Sequence, residues 1–145
     1  MIPDINTNNY VEFAETTLAL VGVRNDGIIE IRFKLKEYEV DVKDQHEIHD
    51  AFVKLTDNGR KAYHILVIPG KFGTITKEAR EMEMFETVVF QNQRSLAIVV
   101  HELHQRILGK LYLSLKKSKP KYPNQLFDSE VSAMNWIQDN KAQKK

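Results

Sequence analysis

Cysteine is absent from this 145-residue chain. Disulfide frameworks, thiolate metal sites and a cysteine nucleophile are therefore excluded. An excess of one charge is missing too: 21 Lys and Arg stand against 20 Asp and Glu. With charges so nearly cancelled, no global field selects nucleic acid, an anionic membrane or an acidic substrate. No long hydrophobic run occurs; stretches such as Leu96 to Val100 are far too short to span a bilayer. Met1 to Val11 lacks both a basic start and an apolar core, so no signal peptide is expected there and a cytoplasmic location fits. Low-complexity blocks and linkers are lacking, as are any metal cage, nucleophile set or phosphate loop. A hydrophobic content of 42% with 28% charged residues is that of an ordinary soluble domain large enough to bury a core.

What is present is an alternation of helix-period and strand-period segments. Residues 1–16 read as an N-terminal extension, 17–138 as a single α/β domain and 139–145 as a polar tail. Thr17 to Arg24 is β-rich, and Asn25-Asp26-Gly27 supplies turn residues that tolerate positive φ. In Ile28 to Lys34, Ile29, Ile31 and Phe33 alternate with Glu30, Arg32 and Lys34, which predicts an antiparallel hairpin with one solvated face. Leu35 to Val40 reads as a connector. Asp41 is a plausible helix cap with Asp44 three residues on. Ile48, Ala51, Phe52 and Leu55 form one apolar stripe, and Asn58-Gly59 ends the helix with Gly59 in the left-handed region.

Tyr63 to Ile68 is nearly all apolar, the signature of a strand covered on both faces, and Pro69-Gly70 stops it. Thr76 then caps a helix whose inner face is Ala79, Met82, Phe85 and Val89. Leu96 to Val100 is a second buried strand. Leu103, Ile107, Leu108, Leu111, Tyr112 and Leu115 make the widest helical stripe, with Lys116, Lys117 and Lys119 at its carboxyl end. Gln125 to Phe127 is a short strand, and Asp128 caps a last helix with Ala133, Trp136 and Ile137 inward. The expected architecture is a mostly parallel mixed sheet, opened by an antiparallel hairpin and continued by βα repeats with crossover helices.

Candidate functional residues fall into three groups. Thr74 and Thr76 precede a predicted helix start, between Lys71 and Lys77, where free N–H groups and cations would stabilise a phosphate. Against a phospho-switch stands the plain role of Thr76 as a cap. His46-Glu47-Ile48-His49 and His101-Glu102-Leu103-His104 repeat one pattern, and His46 with His49 and His101 with His104 have spacings that let a helix present a pair to a metal. Zinc-protease helices need the i, i+4 spacing instead, and Gln105 occupies that place, so no metal is expected. Glu47, Asp50 and Glu102 stand near those histidines, without an oxyanion-donor motif to make acid–base chemistry of them. The third group is the basic stretch Lys110 to Lys121, with Tyr112 and Tyr122 nearby, which reads as a dipole complement or a phosphate patch. Met84 is a candidate exposed contact beside Met82 and Phe85.

The order of these segments also carries a resemblance. The hairpin, the helix from Val40-Asp41-Val42 to Leu55-Thr56-Asp57-Asn58-Gly59, and the strand Tyr63 to Ile68 form its first half. Thr76-Lys77-Glu78-Ala79-Arg80, Leu96 to Val100, Arg106 to Leu113, Pro120 to Pro123, Leu126-Phe127 and Ala133 to Ile137 complete it. Over roughly Leu18 to Ile137 the chain resembles the small STAS/SEC14-type bacterial domains, relatives of the anti-sigma-factor antagonists. The resemblance implies a βα superhelix and a role in protein–protein regulation rather than catalysis, with no cofactor. It also implies a switch residue after the central strand, within an Asp-Ser motif. Pro69 to Thr76 has no Asp-Ser pair, leaving Thr74 and Thr76 as the matching hydroxyls. A protein partner, or self-association through a sheet edge or helix face, is the expected interaction. A small apolar or lipid-like ligand is the alternative, and a metal-dependent enzyme built on the histidine pairs ranks last.

Overall fold

The structure is a computed structural model describing residues 7–81, 87–100 and 122–143. After a 3₁₀ turn at Thr7–Asn9 come β1 (Tyr10–Glu15), β2 (Ala19–Arg24), β3 (Ile28–Phe33), β4 (Glu37–Val40), α1 (Val42–Leu55), β5 (His64–Ile68) and β6 (Phe72–Ile75). Helices α2 (Lys77–Arg80) and α3 (Val88–Gln91), strands β7 (Ser95–Val99) and β8 (Asn124–Phe127), and helix α4 (Glu130–Gln143) follow. Six strands form one mixed sheet in the order β1-β2-β3-β5-β7-β8. β2 runs antiparallel to both of its neighbours, β1 and β3, and β3, β5, β7 and β8 run parallel. β4 and β6 pair in parallel as a separate ribbon.

The two greasy central strands lie side by side, with Ile65 opposite Leu96 and Leu66 opposite Ala97. Side chains alternate across a strand, so each of these strands feeds two cores. Ile65 and Leu96 join Val21, Ile29, Ile48, Phe52, Leu55 and Phe90 on one face, where the Phe52 and Phe90 rings stack with centroids 4.1 Å apart. Leu66, Ile68, Ala97 and Val99 meet Ala133 and Ile137 of α4 on the other. Burial on both faces explains why these strands lack polar alternation.

α1 begins as its local sequence dictates. The Asp41 carboxylate accepts from Asp44 N–H, and the Asp44 side chain accepts from Asp41 N–H, a reciprocal capping box. At its far end Asp57, Asn58 and Gly59 all take positive φ, at 52°, 61° and 84°. The reversal is therefore spread over three residues rather than resting on Gly59 alone.

Several local expectations are corrected. Tyr10–Glu15 forms edge strand β1, whereas residues 1–16 read as an extension. A bulge between Tyr10 and Glu12 shifts its register, so the period-two signature that marks a strand is broken at Val11. The hairpin face bearing Glu30 is not solvated: Glu30 is 3% exposed. The connector Leu35 to Val40 and the stop after Ile68 supply β4 and β6. α2 ends at Arg80, and the predicted inward residues Met82 and Phe85 lie outside the described residues. The hydroxyl of Ser129, not the Asp128 carboxylate, accepts from Ser132 N–H at the start of α4, which runs on to Gln143 through residues read as tail. Among the described residues no helix is long and apolar enough to cross a membrane.

Candidate functional site

The β4–β6 ribbon holds the residues singled out around Thr74. Its register sets Glu37 against Phe72, Tyr38 against Gly73, Glu39 against Thr74 and Val40 against Ile75. Tyr38 organises it. Its ring stacks on Phe33 at 4.7 Å, and its hydroxyl oxygen accepts from Gly70 N–H at 2.8 Å. A Cβ on Gly73 would lie 2.3 Å from the Tyr38 ring, and one on Gly70 would lie 2.2 Å from the Leu35 carbonyl oxygen. Both glycines are thus demanded by close approach. Burial pushes the Tyr38 phenol up to about 12, an effect the Gly70 N–H only partly offsets.

Phe72 is 44% exposed at the start of β6, and the ammonium groups of Lys36 and Lys71 lie 5.7 and 5.5 Å from its ring centroid. Such distances suit cation–π attraction. The parallel pairing places Leu35-Lys36 beside Lys71-Phe72, with Phe72 N–H donating to the Lys36 carbonyl at 2.9 Å. Thr74 is exposed, and its hydroxyl donates to the Tyr38 carbonyl at 3.4 Å. The Thr76 hydroxyl instead accepts from Ala79 N–H at 3.1 Å as the cap of α2. The two threonines therefore differ: exposed Thr74 bonds across the ribbon to β4, whereas Thr76 caps α2. Lys77 is exposed in the first turn of α2, and Lys71 sits against Phe72.

The histidines divide. His46 is exposed on α1, while His49 is half-buried with Nε2 3.2 Å from the Thr87 hydroxyl and its ring against Phe90. Burial lowers the His49 pKa below its ordinary 6.5. His101 and His104 lie outside the described residues, as do Glu102, Met84 and the stretch Lys110 to Lys121. Among the described residues no group of three His, Cys, Asp or Glu side chains is placed to hold a metal. Glu47 accepts from the backbone N–H and hydroxyl of Thr17 at 2.8 and 3.2 Å, which holds its carboxyl below the usual range and ties α1 to the β1–β2 turn. Asp50 is exposed. Tyr122, noted beside the basic stretch, is buried in the α1-side core.

Sequence reasoning missed two polar constellations. His64 and Ser95 face each other across β5 and β7 with Nδ1 2.7 Å from Oγ, both buried. On the opposite half of the sheet, Glu30 accepts from Arg32 Nε at 2.9 Å and from the Tyr10 hydroxyl, and lies 3.6 Å from Arg24. Arg32 reaches on to Glu130 at 2.9 Å, joining β3 to the start of α4. Burial, then the hydrogen bond and charge of Glu30, push the Tyr10 phenol up to about 12. Burial works against the Arg32 charge, but its bonds to Glu30 and Glu130 outweigh that and raise its pKa. Tyr10 reaches Glu30 by crossing Gly22, where a Cβ would stand 2.4 Å from its ring. The only sequence trace of this arrangement is the charged pair Glu30 and Arg32 on one strand face, a pattern equally typical of a wet face.

The fold defines the chain as an α/β domain with a mixed six-stranded sheet. A family model matches residues 22–141, and the chain belongs to that family, described as a domain of unknown function, DUF7793. No curated protein and no solved structure matches it.

Proposed function

We propose that the chain is a non-enzymatic regulatory module of the STAS-like kind, acting in the cytoplasm, which docks a protein partner through its β4–β6 ribbon. The observation that carries this reading is Phe72, a large apolar ring left 44% exposed with the ammonium groups of Lys36 and Lys71 5.7 and 5.5 Å from its centroid. Aromatic side chains framed by cations suit a partner that offers an apolar side chain among carboxylates. Thr74 is exposed on the same strand, so a charge added there alters the docking surface directly. Thr74 also pairs with Glu39, and like charges opposite one another weaken a strand pair.

The test is affinity recovery from the native cell with intact-mass analysis of what returns. A stoichiometric partner is expected, lost at least tenfold with Phe72→Ala or with Lys36→Glu and Lys71→Glu together, and weakened by Thr74→Glu. Recovery of the chain alone, or a partner indifferent to all these changes, overturns the reading.

A further inference from the structure

Among the described residues the outer edge of β1 carries no neighbouring strand, and its sequence suits one occupant. Backbone bonding on β2 alternates: Leu18 C=O accepts from Lys34 on the β3 side, and Ala19 C=O accepts from Thr16 on the β1 side. Continuing that alternation, Val21 and Val23 bond toward β1, to their partners Ala14 and Glu12. Phe13 and Glu15 consequently direct their N–H and C=O groups outward. Among the described residues no hydrogen bond reaches that edge. Val11 is 71% exposed and Phe13 43% exposed along it. Because the bulge at Val11 shifts the register, Tyr10 and Phe13 share a sheet face, their centroids 6.5 Å apart. α4 packs over β5, β7 and β8, so these rings lie on the half of that face away from it.

We propose that β1 pairs antiparallel with β1 of a second copy of this chain, about a two-fold axis through Phe13, joining two sheets into one. An axis normal to the sheet keeps each face on its own side, so opposing residues must share a face. The axis then passes through Glu12, Phe13 or Ala14. Glu12 on the axis sets two carboxylates directly opposite each other, which is destabilising. Ala14 on the axis sets each Phe13 against a Glu15 and gives up the pairing of the two aromatic rings. Phe13 on the axis pairs the two Phe13 rings, sets Glu12 against Ala14 and Val11 against Glu15, and keeps every acidic side chain opposite an uncharged one. Exposed charges and a bulge usually protect an edge strand from indiscriminate pairing. Here the register through Phe13 is the one of the three that avoids facing carboxylates and also pairs two aromatic rings, and β1 carries no Pro, Lys or Arg to close it.

This pairing is independent of the β4–β6 ribbon, and because the chain has no cysteine its register is directly measurable. In the expected register residues 12 and 14 of opposite copies face each other at a non-hydrogen-bonded position, about 4.5 Å between Cα atoms, within disulfide reach. The experiment uses the full chain. Light scattering after size exclusion is expected to give about twice the monomer mass of 16.9 kDa, falling to that of the monomer with Phe13→Lys. Circular dichroism of that variant is expected to match the parent, which separates lost pairing from lost folding. Under a mild oxidant, Glu12→Cys mixed with Ala14→Cys forms a covalent dimer, and neither variant does so alone. A monomeric parent overturns the proposal. So does a dimer that survives Phe13→Lys, or a cross-link formed by either cysteine variant by itself.

Discussion

Glu30 shows what a single residue imposes on this fold. A buried carboxylate is tolerated only when paired and hydrogen-bonded, and here Arg32, Arg24 and the Tyr10 hydroxyl supply those partners. Gly22 makes room for the Tyr10 ring, so the smallest residue on β2 allows the phenol to reach the carboxylate. Removing that hydroxyl with Tyr10→Phe leaves Glu30 its arginines, and the expected loss of stability at neutral pH is about 1 kcal/mol. The pH dependence has a definite sign. The Tyr10 phenol titrates at about 12 in the folded chain against 10 ordinarily, so its contribution is complete below pH 10 and is lost as pH rises through 12. Denaturant unfolding measured from pH 8 upward is expected to show that loss in the parent and a flatter profile in Tyr10→Phe. Tyr38, also raised to about 12, retains part of the slope.

Elements differ in how far their own residues announce them. α1 was legible because its capping box and apolar stripe are local: Asp41, Asp44, Ile48, Phe52 and Leu55 state the helix within their own span. β4 and β6 were not. Each is four residues long with mixed exposure, and what makes them strands is a pairing between distant segments, held by Tyr38. The candidate site suffered likewise: Lys71, Thr74 and Thr76 were found, but Phe72 and Lys36 were not, because only the ribbon brings Lys36 to the Phe72 ring. Gly73→Ala tests this dependence. Its Cβ would meet the Tyr38 ring at 2.3 Å, so the ring must move and give up its bond to Gly70. Expected are a loss of about 1–3 kcal/mol in thermal or denaturant unfolding and a Tyr38 phenol pKa falling from about 12 toward 10 in an ultraviolet titration.

At the scale of the whole molecule, stability is graded across the sheet. β5 and β7 are flanked by strands on both sides and buried on both faces, whereas among the described residues β1 has a single neighbouring strand and exposed or half-buried side chains throughout. Local opening follows burial and pairing. Amide hydrogen exchange is therefore expected to be slowest at Ile65, Leu66, Leu96 and Ala97, and faster by orders of magnitude along Tyr10–Glu15. In the dimer expected from β1 pairing, Phe13 and Glu15 gain protection with rising protein concentration, while Val11 at the bulge gains least.

Taken alone, the sequence determined the α/β class, the β2–β3 hairpin, the two central strands and the inward faces of α1 and α4. Each of those follows from a periodicity or cap written within one segment, and burying such a stripe leaves little choice of partner layer. Tertiary structure alone decided the β4–β6 ribbon, the placing of Lys36 beside Phe72, the burial of Glu30 and the use of Tyr10–Glu15 as an edge strand. The reason is physical: a charged or exposed residue has no intrinsic address, and only chain segments far apart in sequence determine whether it meets solvent, an arginine or another ring.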